Sequence, residues 1–391
     1  MQDTLELHVH RHLVSRIVVG RDAWDRFLRR LTAEPTPTAV VTHPSIVETF
    51  SDLAATVRHQ PGVHLLTWPE GETAKSWDSL RDLLHEMFRL GLRRDARLVA
   101  WGGGVLGDLV GLAAALYMRG IALWHVPTTL TAQTDSAIGG KTAVDTPFGK
   151  NLVGAFYPAE FVWADPRFLT TLPEAAFRDG MGEVIKYAFL IGEPFLSWLE
   201  AHSPDLRRRD PDALETMVRT CAAYKVQVVQ ADEQDRGVRQ WLNLGHTVGH
   251  ALEAMVDYRG LTHGEAVLWG LVVEGRIARR RTGLAAAHLD RLHRLIDAWG
   301  GLRPLPVWDE ARFWQALELD KKQRHGTTGF RIPLLVEPGR VEVVEDVSPD
   351  LLRQALAEVG LGPMAPQYSA STMSRRRPGK RSSQARRSAR S

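Results

Sequence analysis

Residues 97–116 read RLVAWGGGVLGDLVGLAAAL. The first five form an apolar run of strand length, three glycines turn the chain, and an apolar helix is expected over 107–118. A strand that feeds a helix through glycines is the repeating unit of a parallel α/β layer. Glycine lets the backbone approach a pyrophosphate closely, and the helix start supplies N–H donors and the positive end of a dipole. Gly102, Gly104 and Gly107 also satisfy G-x-G-x-x-G. A tight turn without a ligand meets that pattern equally well. It is the strand before it and the helix after it that favour a bound anion.

The alternation extends in both directions. Upstream, residues 4–20 read as strands, 22–32 as a helix, 38–43 as a strand, 47–58 as a helix, 63–67 as a strand and 76–92 as an amphipathic helix. Downstream, IALWHV (121–126) is another strand. This order predicts a mostly parallel sheet covered on both faces. Past residue 170 long helical patterns take over, at 174–189, 194–201, 211–231, 243–256, 263–282 and 286–299. A short strand pair is expected within 328–344, turning at EPGR. Beyond Pro363 the chain is too rich in Pro, Ser and Arg to bury a core and reads as disordered. The expected organisation is an α/β domain over 1–170, a helical domain over 171–363 and a basic tail over 364–391.

The chain has 391 residues, 44% of them hydrophobic, enough for two cores. No uninterrupted apolar stretch reaches about 18 residues, so no membrane span is expected. The start, MQDTLELHVH, lacks a basic region followed by an apolar run, so no secretory leader is read. One cysteine, Cys221, excludes an intrachain disulfide framework and a multi-cysteine zinc site. Together these features point to the cytoplasm. The net charge of +3 hides an asymmetry: Arg375–Ser391 holds eight Lys and Arg and no acid, leaving 41 basic against 46 acidic residues elsewhere. The folded body is therefore acidic, and specific nucleic-acid binding is not expected of it.

Three further groups of residues carry chemistry. Asp135, Lys141, Lys150 and Asn151 stand among glycines within 17 residues, and ammonium groups on glycine-rich backbone suit an anionic substrate. A solvated loop with ordinary lysines is the bland reading of that segment. His246 and His250 lie four apart, on one face of a helix. His263 opens the next helix, and Glu183 stands upstream with Lys186. One carboxylate and two imidazoles leave open positions on a divalent metal, the form of a catalytic site. No glutamate follows His246, so this is not H-E-x-x-H. Lys225, Arg239, Lys321 and Lys322 are surface cations if taken singly and gain meaning only in company.

In company they form an ordered set: GGGVLGDLVGLAAALYMRG, VPTTLTAQTDSAIGGKTAVDTPFGKNLVGAFYP, GEVIKYA, NLGHTVGHALEA, HGEAV and DKK. In this order and spacing the chain resembles the 3-dehydroquinate synthase family of the sugar phosphate cyclase superfamily, over about residues 15–360. The resemblance implies a Rossmann-like N-terminal domain and an all-helical C-terminal domain, with the active site between them. It implies that Glu183, His246 and His263 bind zinc, or cobalt in its place, with His250 near the substrate and not a ligand. Asp135, Lys141, Asn151, Lys186, Lys225, Arg239, Asn243 and one of Lys321 and Lys322 match positions that hold the carboxylate, hydroxyls and phosphate of a sugar phosphate. Arg119 matches an arginine that reaches the neighbouring subunit's phosphate site, which implies a homodimer. Gly103, Gly104, Val105, Asp108, Thr128, Thr129 and Lys150 match NAD contacts, with Glu72 and Lys75 on the adenosine side; Asp135 is placed with both groups.

The implied reaction is the second step of the shikimate route to aromatic amino acids. A hydride leaves C5 of 3-deoxy-D-arabino-heptulosonate 7-phosphate for NAD, phosphate is eliminated, the hydride returns, the ring opens and an internal aldol step closes the carbocycle. NAD is thus a catalytic cofactor.

The chain departs from the family at three places. Thr42-His43-Pro44-Ser45 stands where an aspartate and an asparagine usually follow the second strand, Ala175-Ala176 replaces an Arg-Glu pair, and Gly182 stands where alanine is frequent. These leave room for a cyclase of specialised metabolism. An aminodehydroquinate synthase, whose substrate differs by one group, stays open, whereas neither the deoxy-inosose nor the valiolone pattern is seen. A metal-dependent polyol dehydrogenase would not need so many phosphate-directed cations. A partner-binding protein built on a dead enzyme is disfavoured because every expected ligand and cation is present.

Overall fold

The computed structural model describes residues 13–321 and 329–361, with nothing said of the side chains of Asp320 and Lys321. Residues 1–12, Lys322 and the basic tail lie outside the described residues. Six strands form one parallel sheet: β1 (Arg16–Val19), β2 (Thr38–Thr42), β3 (Val63–Thr67), β4 (Arg97–Gly102), β5 (Ala122–Pro127) and, later in the chain, β8 (Phe161–Ala164). Their order is β1-β8-β5-β4-β2-β3. β2 and β4 are buried throughout, as strands covered on both faces must be. Period two sends Val41, Leu98 and Ala100 to the core on one face and Val40, Val99 and Trp101 to the other. The chain passes from β3 to the far side of β2 to form β4. That reversal opens a crevice outside the carboxyl ends of β2 and β4, where ligands of such sheets bind.

Several expected boundaries are corrected. The helix after the glycines is Gly104–Leu116, starting on the third glycine with Gly103 as its N-cap. It ends early because Met118, Arg119 and Gly120 all have positive φ, of 49°, 66° and 116°. The helix expected over 47–58 is two, Pro44–Thr49 and Ser51–Arg58, broken at Phe50. The segment read as a glycine-rich loop is an antiparallel hairpin, β6 (Lys141–Thr146) and β7 (Gly149–Phe156). Of the strands expected over 4–20, β1 falls among the described residues.

The second half is largely helical. Its core gathers residues of the helices Glu174–Ile191, Phe195–Arg207, Pro211–Ala231, His246–Met255, His263–Arg281 and Ala286–Ala298. It also contains a hairpin, β9 (Phe330–Glu337) and β10 (Arg340–Val347), turning at Pro338-Gly339 as EPGR suggested. Among the described residues three helices went unread, Arg167–Thr170, Glu310–Lys321 and Pro349–Glu358. Among the described residues no helix is long and apolar enough to cross a membrane.

Candidate active site

Three helices meet backbone to backbone. A Cβ on Gly182 would lie 2.4 Å from the Gly264 carbonyl oxygen, and one on Gly270 would lie 1.8 Å from that of Gly245. No larger residue fits at either contact as the helices stand. A half-buried and a buried carboxylate tie the helix starts together. Asp179 Oδ1 accepts the Gly264 N–H at 2.6 Å, and Glu274 accepts the N–H groups of Gly245 at 2.6 Å and Val248 at 3.2 Å. These bonds satisfy donors that a helix start otherwise leaves open. Burial pushes Glu274 up to about 8.

This packing sets Glu183, His246 and His263 side by side. Glu183 Oε1 lies 3.2 Å from His246 Nε2 and 2.9 Å from His263 Nε2. Each imidazole has its other nitrogen engaged: Nδ1 of His246 faces the Leu244 carbonyl at 3.1 Å, and Nδ1 of His263 faces Glu253 Oε2 at 3.1 Å. Both rings therefore turn Nε2 to the same carboxylate, the arrangement that partners of ligating histidines impose. Ligand atoms of a tetrahedral zinc stand roughly 3.3 Å apart, from bonds of about 2.0–2.1 Å. The donor set and its spacing fit such a cation. The residues on all three sides carry charge that bears on it. Burial opposes the charge of Glu183, but Lys186, 2.5 Å from its Oε2, and His246 outweigh that and hold its carboxyl well below the usual range. Burial likewise opposes a charged His263, but its bonds to Glu183 and Glu253 hold its imidazole well above the usual value. His250 stands one turn on, its ring 5.1 Å from that of His246. It also forms a three-donor group with Glu253 and His263.

Beside this pocket lies a second charged cluster. Asp135, in a wide turn at Ala132–Ser136, meets Lys225 Nζ at 2.8 Å and the Tyr187 hydroxyl. Burial opposes the charge of Asp135, but Lys225 and Lys186 hold its carboxyl low. Burial and the Asp135 charge push Tyr187 well up. Tyr187 follows Lys186 directly in GEVIKYA, and that one-residue step is the sequence signal for its place here. Arg239 is almost wholly buried and donates to the carbonyls of Gly139 at 2.9 Å and Glu233 at 2.6 Å. Lys141 pairs with Asp235, which the sequence reading missed. Asn243 closes the short turn Val238–Asn243 that leads to His246.

The nucleotide-side residues also converge. Lys75 Nζ lies 2.5 Å from both Asp108 Oδ2 and Asn151 Oδ1. Burial opposes its charge, yet Asp108 keeps it raised; burial pushes Asp108 itself up to about 6. Asn151, expected at the substrate, is here a partner of Lys75, and its own φ is 58°. Lys150 Nζ lies 3.5 Å from Glu72 and 3.6 Å from Glu253. Thr128 donates its N–H to the Gly102 carbonyl at 3.0 Å, and Thr129 Oγ1 accepts from Ala132. The departing stretch forms the turn out of β2, where Glu70 accepts the Ser45 N–H at 3.3 Å. Val105 lies in the first turn of the helix Gly104–Leu116. Arg119 is exposed, with no carboxylate in ion-pair reach among the described residues. The side chain of Lys321 is not described, and Lys322 lies outside the described residues.

Comparison with known proteins agrees with this layout. The family model for the N-terminal part of 3-dehydroquinate synthase matches residues 65–179, and that for the C-terminal part matches 180–323. The chain is 39% identical over 323 residues to 3-dehydroquinate synthase from Acidithiobacillus ferrooxidans, covering 82% of this chain and 88% of that protein. Among solved structures it resembles ValA, the 2-epi-5-epi-valiolone synthase of Streptomyces hygroscopicus with NAD and zinc bound. The TM-score is 0.82 at 27% identity, over 91% of this chain and 99% of that one. It also resembles 2-deoxy-scyllo-inosose synthase complexed with carbaglucose-6-phosphate, NAD and cobalt, with a TM-score of 0.79 at 27% identity over 88% and 96% of the two chains.

Proposed function

The chain belongs to the 3-dehydroquinate synthase family and is a phosphate-eliminating cyclase, and on that premise we propose how its residues divide the work. Glu183, His246 and His263 hold a divalent metal, zinc or cobalt. The observation that carries this is their convergence: two Nε2 atoms at 2.9 and 3.2 Å from one carboxylate oxygen, with both Nδ1 atoms engaged elsewhere. When bound, NAD takes up and gives back one hydride, and the metal polarises the hydroxyl and ketone oxygens of the substrate.

The protein's own groups position and neutralise. Lys186 fixes the Glu183 carboxylate from the side away from the histidines. Asp135 accepts hydrogen bonds from substrate hydroxyls, as it accepts that of the Tyr187 hydroxyl, while Lys225, Arg239 and Asn243 face the substrate's carboxylate. Lys141 exchanges Asp235 for substrate phosphate, and Arg119 reaches the phosphate of a neighbouring subunit in a homodimer. Its exposure and left-handed backbone, flanked by exposed Leu116 and Met118, support that last assignment. Cations aimed at developing charge in a water-poor cleft are the larger part of the rate enhancement in such a site. Lys75, Lys150, Glu72 and Asp108 face the dinucleotide with Gly103, Gly104, Val105, Thr128 and Thr129. The enzyme works in the cytoplasm on 3-deoxy-D-arabino-heptulosonate 7-phosphate.

A direct assay compares that heptulosonate phosphate with its amino analogue on the purified, zinc-loaded protein. Release of inorganic phosphate without accumulation of NADH, faster on the oxygen substrate, is expected. Net NADH formation, or turnover of the amino substrate alone, sinks this reading.

A further inference from the structure

Glu253 has no role in the reaction as laid out above, yet its position needs one. It sits in the last turn of the helix His246–Met255 and is almost wholly buried. A carboxylate at the negative end of a helix, out of water, is unfavourable on both counts. Two cationic or donor groups offset this, and they come from opposite sides of the cleft. Oε2 faces His263 Nδ1 at 3.1 Å, while Oε1 lies 3.6 Å from Lys150 Nζ. Lys150 opens β7 in the hairpin of the first half and is itself 3.5 Å from Glu72 and 4.3 Å above the ring of Tyr258.

We propose that Glu253 is a positioning residue that couples metal binding to dinucleotide binding. The proposal rests on the reading of Glu183, His246 and His263 as metal ligands and of Lys150 as a nucleotide contact. By accepting from Nδ1, Glu253 fixes the His263 tautomer with Nε2 free for a cation, and its negative charge strengthens Nε2 as a donor. While Lys150 shares that carboxylate, part of the charge is neutralised. When Lys150 turns to the phosphates of a bound dinucleotide, the whole charge falls on His263. Dinucleotide therefore tightens the metal, and by linkage the metal tightens the dinucleotide by the same factor.

The test is a zinc titration of the full-length protein by chelator competition, with and without saturating NAD. It is run on wild type, Glu253→Gln and Lys150→Met. In wild type NAD is expected to raise zinc affinity several-fold, within the roughly 5–150-fold range of such couplings. Glu253→Gln should lower zinc affinity by about 10–100-fold and abolish the response to NAD. Lys150→Met, on the hairpin and remote from the helix packing, should raise zinc affinity without NAD toward the NAD-bound value. It reads the coupling even if Glu253→Gln folds poorly. Unchanged zinc affinity in a folded Glu253→Gln overturns the positioning role. An equal NAD response in wild type and Glu253→Gln, or none in wild type, overturns the coupling. A wild type that binds no zinc at all overturns the ligand assignment, and the coupling with it.

Discussion

The pocket of Glu183, His246 and His263 and the hairpin β6–β7 are built on opposite plans. The pocket hangs from three helices in backbone contact, with the carboxylates of Glu274 and Asp179 closing the helix starts. The hairpin presents Lys141, Lys150 and Asn151 on a partly exposed ribbon, with Phe148 at its tip 87% exposed. The metal-facing groups are held by packing and by fixed partners within it: Glu183 by Lys186, His246 by the Leu244 carbonyl and His263 by Glu253. Four lysines on the anion side rest on carboxylates of the protein: Lys141 on Asp235, Lys75 on Asp108, Lys225 on Asp135, and Lys150 between Glu72 and Glu253. An anionic ligand must compete with those acids. The lesson is that one part of the cleft is rigid before substrate arrives, and the other exchanges partners when it does.

Breaking the rigid part should have the largest effect. His246→Ala is expected to lower metal affinity and turnover by more than the roughly 10–100-fold of an outer partner, with helicity retained. Full metal content and normal turnover in that variant would falsify the ligand assignment. Next comes Gly182→Ala. Its Cβ would meet the Gly264 carbonyl oxygen at 2.4 Å, and such overpacking costs about 1–3 kcal/mol. Helix propensity returns about 1 kcal/mol. Chemical denaturation should therefore show a net loss together with weaker metal binding, and a stabilised variant contradicts the close contact.

A pH series sharpens the same contrast. Glu274 has its carboxyl pushed up to about 8 by burial, against an ordinary 4.5. Between those values the folded state holds a proton that the unfolded state has lost. Glu274 thus contributes stability that is full below about 4.5 and disappears as pH rises through about 8. Glu274→Gln should flatten the fall in stability across that window, and an unaltered slope counts against the buried acid. On the hairpin side, Lys141→Ala should raise KM while changing stability by no more than about 0–1 kcal/mol, since an exposed pair is worth little. A large stability loss there erases the contrast. Smallest of all, deletion of residues 368–391 should leave turnover unchanged, and a marked drop gives the tail a role in catalysis.

The sequence reading reached strands and helices further than it reached the hairpin or the partners of the pocket. Strand β4 and its glycines were legible because a doubly covered strand is an unbroken apolar run. His246 and His250 announced a shared face through helical spacing. The ligand set followed from resemblance, and the helices then placed it. The hairpin β6–β7 was missed because glycines and lysines obscure its alternation. Glu253, Glu274 and Asp179 were missed for another reason: nothing local marks a carboxylate whose partner is a backbone N–H or an imidazole 10 to 85 residues away. The contact of Asn151 with Lys75 and its left-handed backbone are likewise marked by nothing in the spacing of the motif.

Direct contact between main chains at Gly182–Gly264 and Gly245–Gly270 leaves no side-chain layer to rearrange. That contact joins the three helices into one packed unit. The exposed Lys141 stands instead on the ribbon of the opposite bank. An engineer wishing to change which sugar phosphate is accepted has that bank to work on, with the metal's seat left untouched.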